Sequence, residues 1–219
     1  MDDERQLTYI AVEGPIGVGK TTLAKALGKA LDARVILEEA EDNPFLPHFY
    51  KNPTRYALHT QLAFLVSRYR QQQEIYQRDL FHKTTVADYL FEKDRIFASV
   101  TLNEEELHLY SRIADLLQDA TPTPSIVVML QASAEALMQR IRKRGRGFEA
   151  PMELGYLQTV CETYNRHFFD YTDVPLLVVN TDEVNVATDE VELQELIRQM
   201  RQPRPGVQYY VPVSRRHNR

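Results

Sequence analysis

Residues Gly14-Pro15-Ile16-Gly17-Val18-Gly19-Lys20-Thr21 fit the pattern G-x-x-x-x-G-K-[ST] and constrain this chain more than any other stretch. The run Thr8-Tyr9-Ile10-Ala11-Val12 before them is apolar and β-favouring, and reads as a buried strand. The segment Thr21–Leu31 after them is rich in Ala, Leu and Lys and reads as a helix. Strand, glycine loop and helix in that order form a phosphate cradle. The glycines let main-chain amides close around an anion, and the helix N-terminus adds its positive dipole end. Lys20 can reach the β- and γ-phosphates of a nucleoside triphosphate, and Thr21 offers a hydroxyl to Mg²⁺. Gly14 through Thr21, with Thr22 beside them, are therefore expected to bind a triphosphate.

The rest of the chain repeats the alternation. Strand-like runs at Arg34–Leu37, Thr84–Ala87, Ser125–Leu130 and Leu176–Val179 are separated by helix-like runs at about 54–77, 103–117, 133–144, 152–169 and 189–200. Near-continuous apolar strands joined by helices predict an α/β fold: a five-stranded parallel sheet with helices on both faces. Residues 1–200 are expected to form one domain, with a basic, proline-containing tail over 201–219 loosely held. Ligands in such sheets bind beyond the C-terminal strand ends. Gly14, Glu38 and Asp88 all lie just past strand ends, so one crevice should hold all three.

Composition narrows the class. A net charge of −5 argues against a general nucleic-acid binder. The single cysteine, Cys161, fits a reducing compartment, and no Cys/His cluster has zinc spacing. The acidic start Met1-Asp2-Asp3-Glu4 is no signal peptide, and no apolar stretch approaches membrane length. The expected location is the cytoplasm.

Three features move the reading from triphosphate binding to a reaction. A carboxylate of the pair Glu38-Glu39, at the crevice mouth, can take the proton of an attacking hydroxyl. Arg140, Arg142, Arg144 and Arg146 surround Gly145 and Gly147; Arg140 and Arg144 share a helix face, and the glycines let the segment close as a basic flap over the transferring group. Arg142 and Lys143 read as a solvated face. Asp88 suits either the Mg²⁺ shell or a helix cap before Tyr89-Leu90-Phe91. The guanine-reading pattern [NT]-K-x-D is absent. A kinase acting on a small hydroxylated acceptor is the physical conclusion.

With these residues in view, the chain resembles the deoxynucleoside kinase family from about Tyr9 to Phe169. The resemblance rests on Gly14–Thr21, on Glu38 with Asp42-Asn43-Pro44-Phe45-Leu46, and on Phe49-Tyr50. It continues through Gln61 with Arg68, Asp88 to Phe97-Ala98, and Arg140–Arg146 with Glu149. It implies a P-loop kinase fold with an arginine-rich LID, and roles residue by residue. Glu38, rather than Glu39, looks like the base for the sugar 5′-hydroxyl. Tyr50 and Glu149 match the positions that hold the 3′-hydroxyl. Gln61, Arg68 and Asp94 match the readers of the base, and Phe45 or Phe64, with Phe97, could sandwich it. Arg144 and Arg146 match flap residues that touch the donor phosphates. One departure stands out: relatives usually carry an arginine directly after the acid that follows the third strand, whereas this chain has Asp88-Tyr89. Arg95 is the candidate to supply that charge.

The resulting expectation is an ATP- and Mg²⁺-dependent kinase that phosphorylates a deoxynucleoside at its 5′-hydroxyl, a homodimer by family resemblance. The stretch Asp42–Leu46 points to a purine acceptor. Lys20, Glu38, Arg144 and Arg146 are expected to carry the chemistry, with Thr21 and Asp88 at the metal. The rival readings are a thymidylate-type nucleoside monophosphate kinase and a catalytically silent P-loop subunit.

Overall fold

The computed structural model describes residues 7–76, 81–118, 122–202 and 206–212. The first strand, β1 (Tyr9–Glu13), is buried at every position. It leads through the glycine loop into α1 (Lys20–Leu31). Then come β2 (Arg34–Ile36), the short α2 (Leu46–Phe49) and the 24-residue α3 (Pro53–Tyr76). The chain continues through β3 (Thr85–Ala87), α4 (Lys93–Thr101), α5 (Glu104–Gln118) and β4 (Ile126–Gln131). It ends with α6 (Ala134–Arg144), α7 (Leu154–Phe169), β5 (Leu176–Asn180), α8 (Glu190–Arg201) and β6 (Val207–Tyr210).

The strands form one sheet in the order β2-β3-β1-β4-β5-β6, and every pairing is parallel. Side chains alternate between two cores because the strand period is two. Ile10, Val12, Val128 and Leu130 face one core with Leu23 and Leu27 of α1, Leu137 of α6 and Leu196 of α8. Tyr9, Ala11, Val127 and Met129 face the other with Val160, Tyr164 and Phe168 of α7 and Ile96 of α4. The sheet is thus covered on both faces, as its unbroken apolar strands require.

The sheet has six strands, where the sequence predicts five. Part of the supposedly loose tail, Val207–Tyr210, pairs with β5, and the Tyr210 hydroxyl bonds to the buried Glu192 carboxylate of α8. The run Val207-Gln208-Tyr209-Tyr210 lies in a proline-containing tail and lacks the continuous aliphatic pattern that marks the other strands. The acidic start at 1–4, Gln77 at the expected end of the long helix, and tail residues 203–205 and 213–219 lie outside the described residues.

Two helix starts follow their caps. The Asn103 side chain accepts from Glu106 N at 2.9 Å while the Glu106 carboxylate accepts from Asn103 N at 3.2 Å, a reciprocal capping box. Ser133 accepts from Ala136 N and opens α6. Gly145 ends α6 in the left-handed conformation. Since β1 lies between β3 and β4, the strand order reverses direction beside it, and the crevice opens at its C-terminal end.

Candidate active site

β1 delivers the chain to the phosphate loop through a buried acid. The Glu13 carboxylate accepts from Gly14 N at 2.8 Å, from the Tyr164 hydroxyl at 3.0 Å and from Leu90 N at 2.7 Å. These bonds tie the loop entrance to α7 and to the segment after β3. Gly14 has φ +141°, and a Cβ there would stand 2.4 Å from the Leu130 carbonyl oxygen. Only glycine fits. Gly19, at φ +107°, takes the left-handed conformation at the N-cap of α1. Lys20 Nζ donates to the carbonyl oxygens of Gly14 at 2.7 Å and Pro15 at 3.0 Å. Burial, and then the positive charge of Lys93, lower its pKa to about 8. Anionic phosphate oxygens would reverse that shift by favouring the charged form.

A cavity of about 390 Å³ runs from this loop to the acceptor side. Ile16, Gly17, Gly19, Lys20, Thr21 and Thr22 line one end. Gly14 and Pro15 act there through their carbonyls, and Val18 turns its side chain into the core. Past β2, Glu38 projects into the cavity while Glu39 is exposed. The Glu38 carboxylate is gripped by two cations: Arg68 from α3 on Oε1 and Lys93 from α4 on Oε2, the latter at 2.5 Å. Burial alone would raise its pKa, but the charges of Lys93 and Arg68 overcome burial and hold it well below the usual carboxylate range. Glu38 is therefore ionised at neutral pH.

Arg68 also pairs with Asp94, whose pKa burial raises despite the guanidinium against it. Gln61, seven residues before Arg68 on α3, lines the same cavity and donates to Thr101 Oγ1 at 3.2 Å. Gln61 Oε1, Arg68 Nε, Asp94 Oδ2 and Glu149 Oε2 are buried without hydrogen-bond partners. Buried polar atoms are ordinarily paired, so this set points to a polar ligand. Phe64 and Phe97 line the cavity with aromatic faces, whereas Phe45 packs against His59 outside it. Tyr50 stacks on Phe148, and burial pushes its hydroxyl pKa well above the ordinary value.

The flap arginines are both held by acids. Arg144 bonds to Glu149 Oε1 at 2.6 Å, and Arg146 pairs with Glu41 at 3.0 Å. Arg140 lines the cavity, but its guanidinium is occupied by backbone: it donates to the carbonyls of Thr181 and Val18 and so clamps the phosphate loop to the end of β5. Arg142 and Lys143 are exposed.

Two expectations need correction. Arg95 does not supply the missing charge: it points to Asp115 and Gln118 of α5, away from the cavity. Lys93 stands there instead. It sits in the charged run Glu92-Lys93-Asp94-Arg95, where nothing in the sequence marks which cation faces the cavity. Asp88 caps no helix, since residues 89–91 are irregular. Its carboxylate accepts from the Thr21 hydroxyl at 2.5 Å and from Glu38 N at 2.6 Å. Glu13 also escaped the sequence reading, although an acid closing an apolar strand was its signal.

The Thr21 hydroxyl and the Asp88 carboxylate give two hard oxygens beside the phosphate end, a donor set that suits Mg²⁺. That ion takes one or two protein ligands, with waters and substrate phosphates completing its shell. Among the described residues no group of three or more His, Cys, Asp or Glu side chains could hold a metal alone. Among the same residues no helix is long and apolar enough to cross a membrane.

Comparison with known proteins gives the arrangement its context. The family model described as deoxynucleoside kinase matches residues 10–203. The chain is similar to deoxyguanosine kinase of Bacillus subtilis, 40% identical over 159 residues that cover 71% of this chain and 76% of that enzyme. It is 32% identical to deoxyadenosine kinase of Dictyostelium discoideum over 87% of this chain and 78% of that one. In fold it matches the structure of deoxyadenosine kinase from M. mycoides with a TM-score of 0.77, at 22% identity, over 89% of this chain and 99% of that one.

Proposed function

Because the chain belongs to the deoxynucleoside kinase family and is a phosphotransferase, we propose that it moves the γ-phosphoryl group of ATP to the 5′-hydroxyl of a purine deoxynucleoside. The observation that carries this reading is the single cavity in which ionised Glu38 faces the lysine-bearing loop. The loop and Lys20 take the triphosphate. Thr21 and Asp88 would hold Mg²⁺, which would supply positive charge to the donor phosphates. Glu38 takes the hydroxyl proton, and Arg144 and Arg146 close over the transferring group. Tyr50 and Glu149 hold the sugar, while Gln61, Arg68 and Asp94 read the base between Phe64 and Phe97. The unpartnered polar atoms of Gln61, Arg68 and Asp94 support a base with several donors and acceptors. Purine preference is supported by the names of the B. subtilis and D. discoideum relatives.

An acceptor screen with Mg-ATP tests this. Deoxyguanosine or deoxyadenosine should give the 5′-monophosphate faster than deoxycytidine, thymidine or the ribonucleosides. Product from deoxynucleoside monophosphates alone would establish the thymidylate-type reaction instead, and ATP binding with no ADP from any acceptor would establish a silent subunit.

The working unit in this proposal is a cytoplasmic homodimer. The unpaired Cys161 fits a reducing compartment. Leu109 and Leu116, seven apart on α5, are exposed together with Val66 on the neighbouring α3, which supports apolar pairing through these helices. Sedimentation should give twice the chain mass, and Leu109→Glu with Leu116→Glu should halve it. A wild-type monomer at micromolar concentration would refute the dimer.

A further inference from the structure

Lys93 is a buried ammonium at the first position of α4, where the helix dipole disfavours a cation. Burying such a charge is costly unless it is paired. The ion pair that the described residues give it is with Glu38 Oε2, at 2.5 Å. Arg68, the other cation on Glu38, is also engaged by Asp94. Among the described residues Lys93 has no second ion pair, so of the two cations it is the one that can leave Glu38 without stranding another acid. It lines the same cavity as Lys20, and of the charges around Lys20 it has the largest effect on that ammonium.

The geometry carries further. A hydroxyl donating to Glu38 Oε2 would lie within about 5 Å of Lys93 Nζ, since both would sit at hydrogen-bond distance from one oxygen. Lys93 and the lysine-bearing loop line one cavity, so a phosphoryl group meeting that hydroxyl would do so in the space that both lysines border. The positive charge that Tyr89 lacks therefore stands four residues further along the chain, at the start of α4. The Tyr89 side chain itself is wholly buried under Arg68.

We propose that Lys93 is a catalytic cation of the transfer step: it holds Glu38 while the acceptor site is empty and passes to the transferring phosphoryl group when a sugar hydroxyl takes its place. This rests on the kinase reading above. In the step, the acceptor oxygen bonds to the γ-phosphorus and its proton goes to Glu38. The bond to the β-bridging oxygen breaks, and ADP leaves with the electron pair. Lys93 offers N–H donors to a phosphoryl oxygen.

The test compares wild type with Lys93→Met and Lys93→Arg. Loss of one such donor typically lowers turnover by about 10²–10³. Lys93→Met should lower kcat by that factor while KM for ATP and for the deoxynucleoside each change less than about fivefold, and Lys93→Arg should restore most of it. In parallel, the Lys93→Met protein with ADP, aluminium fluoride and a deoxynucleoside should bind the fluoride complex at least tenfold more weakly than wild type. Its affinity for ADP alone should be unchanged, which also shows that it folds. A folded Lys93→Met protein with kcat within threefold of wild type, or with equal fluoride-complex affinity, overturns the proposal. If wild type turns over no deoxynucleoside, the kinase reading fails separately, and the fluoride complex still decides the role of Lys93.

Discussion

Replacing Glu38 with glutamine lowers deoxynucleoside turnover by about 10²–10⁴-fold, the usual size of a general-base contribution. The amide keeps the shape of the carboxyl and its place past β2, but it cannot accept the proton. Triphosphate binding survives, because the glycine loop and Lys20 are anchored by Gly14, Pro15 and α1 rather than by Glu38. Lys93 and Arg68 lose an anionic partner, so the substitution also makes the pocket more positive by one charge. Steady-state rates with saturating deoxynucleoside, set beside an ATP titration, separate the two effects. Near-normal turnover in this variant removes Glu38 from the mechanism.

Arg68→Met is the substitution with the largest expected cost in stability, about 3–5 kcal/mol, because it strands the buried Asp94 carboxylate and takes one of two cations from Glu38. Arg68 is almost fully buried and bridges Glu38 to Asp94. Glu38 retains Lys93 and stays ionised. Asp94, already pushed up by burial, then takes up a proton in the folded state more readily still. A carboxyl whose folded pKa lies above its unfolded one contributes stability that is complete below the unfolded value, near 4, and lost as pH rises through the folded value. The stability gap between variant and wild type should therefore narrow as pH falls from 8 towards 5. Urea melts at both ends of that range measure it. A loss below 1 kcal/mol, or a gap that widens in acid, contradicts the account.

Most of the frame was legible because strand, loop and helix obey local rules. The motif fixed β1 and α1, apolar runs fixed four further strands, and Asn103 and Ser133 marked helix starts. The strand-end rule placed Gly14, Glu38 and Asp88 together, and the structure brings Thr21, Glu38 and Asp88 into direct contact. What stayed hidden depends on the direction of single side chains. Lys93 and Arg95 are two residues apart on one helix, so they point to different sides, and only packing decides which faces the cavity. Arg140 has the look of a phosphate ligand in sequence, yet it binds main-chain carbonyls. The sixth strand was hidden because its register is set by β5 rather than by its own pattern.

That sixth strand decides what the sheet shows to other molecules. Without Val207–Tyr210 the rim would be β5, whose Leu176-Leu177-Val178-Val179 would offer bare amides and carbonyls on an oily ribbon. Such a rim invites stacking with its like. With the tail in place the outermost strand is shorter and carries Gln208 and two tyrosines, a border far less hospitable to fibre growth. Any shortened version of this protein that stops before Val207 gives up that protection, and clumping during expression is the price.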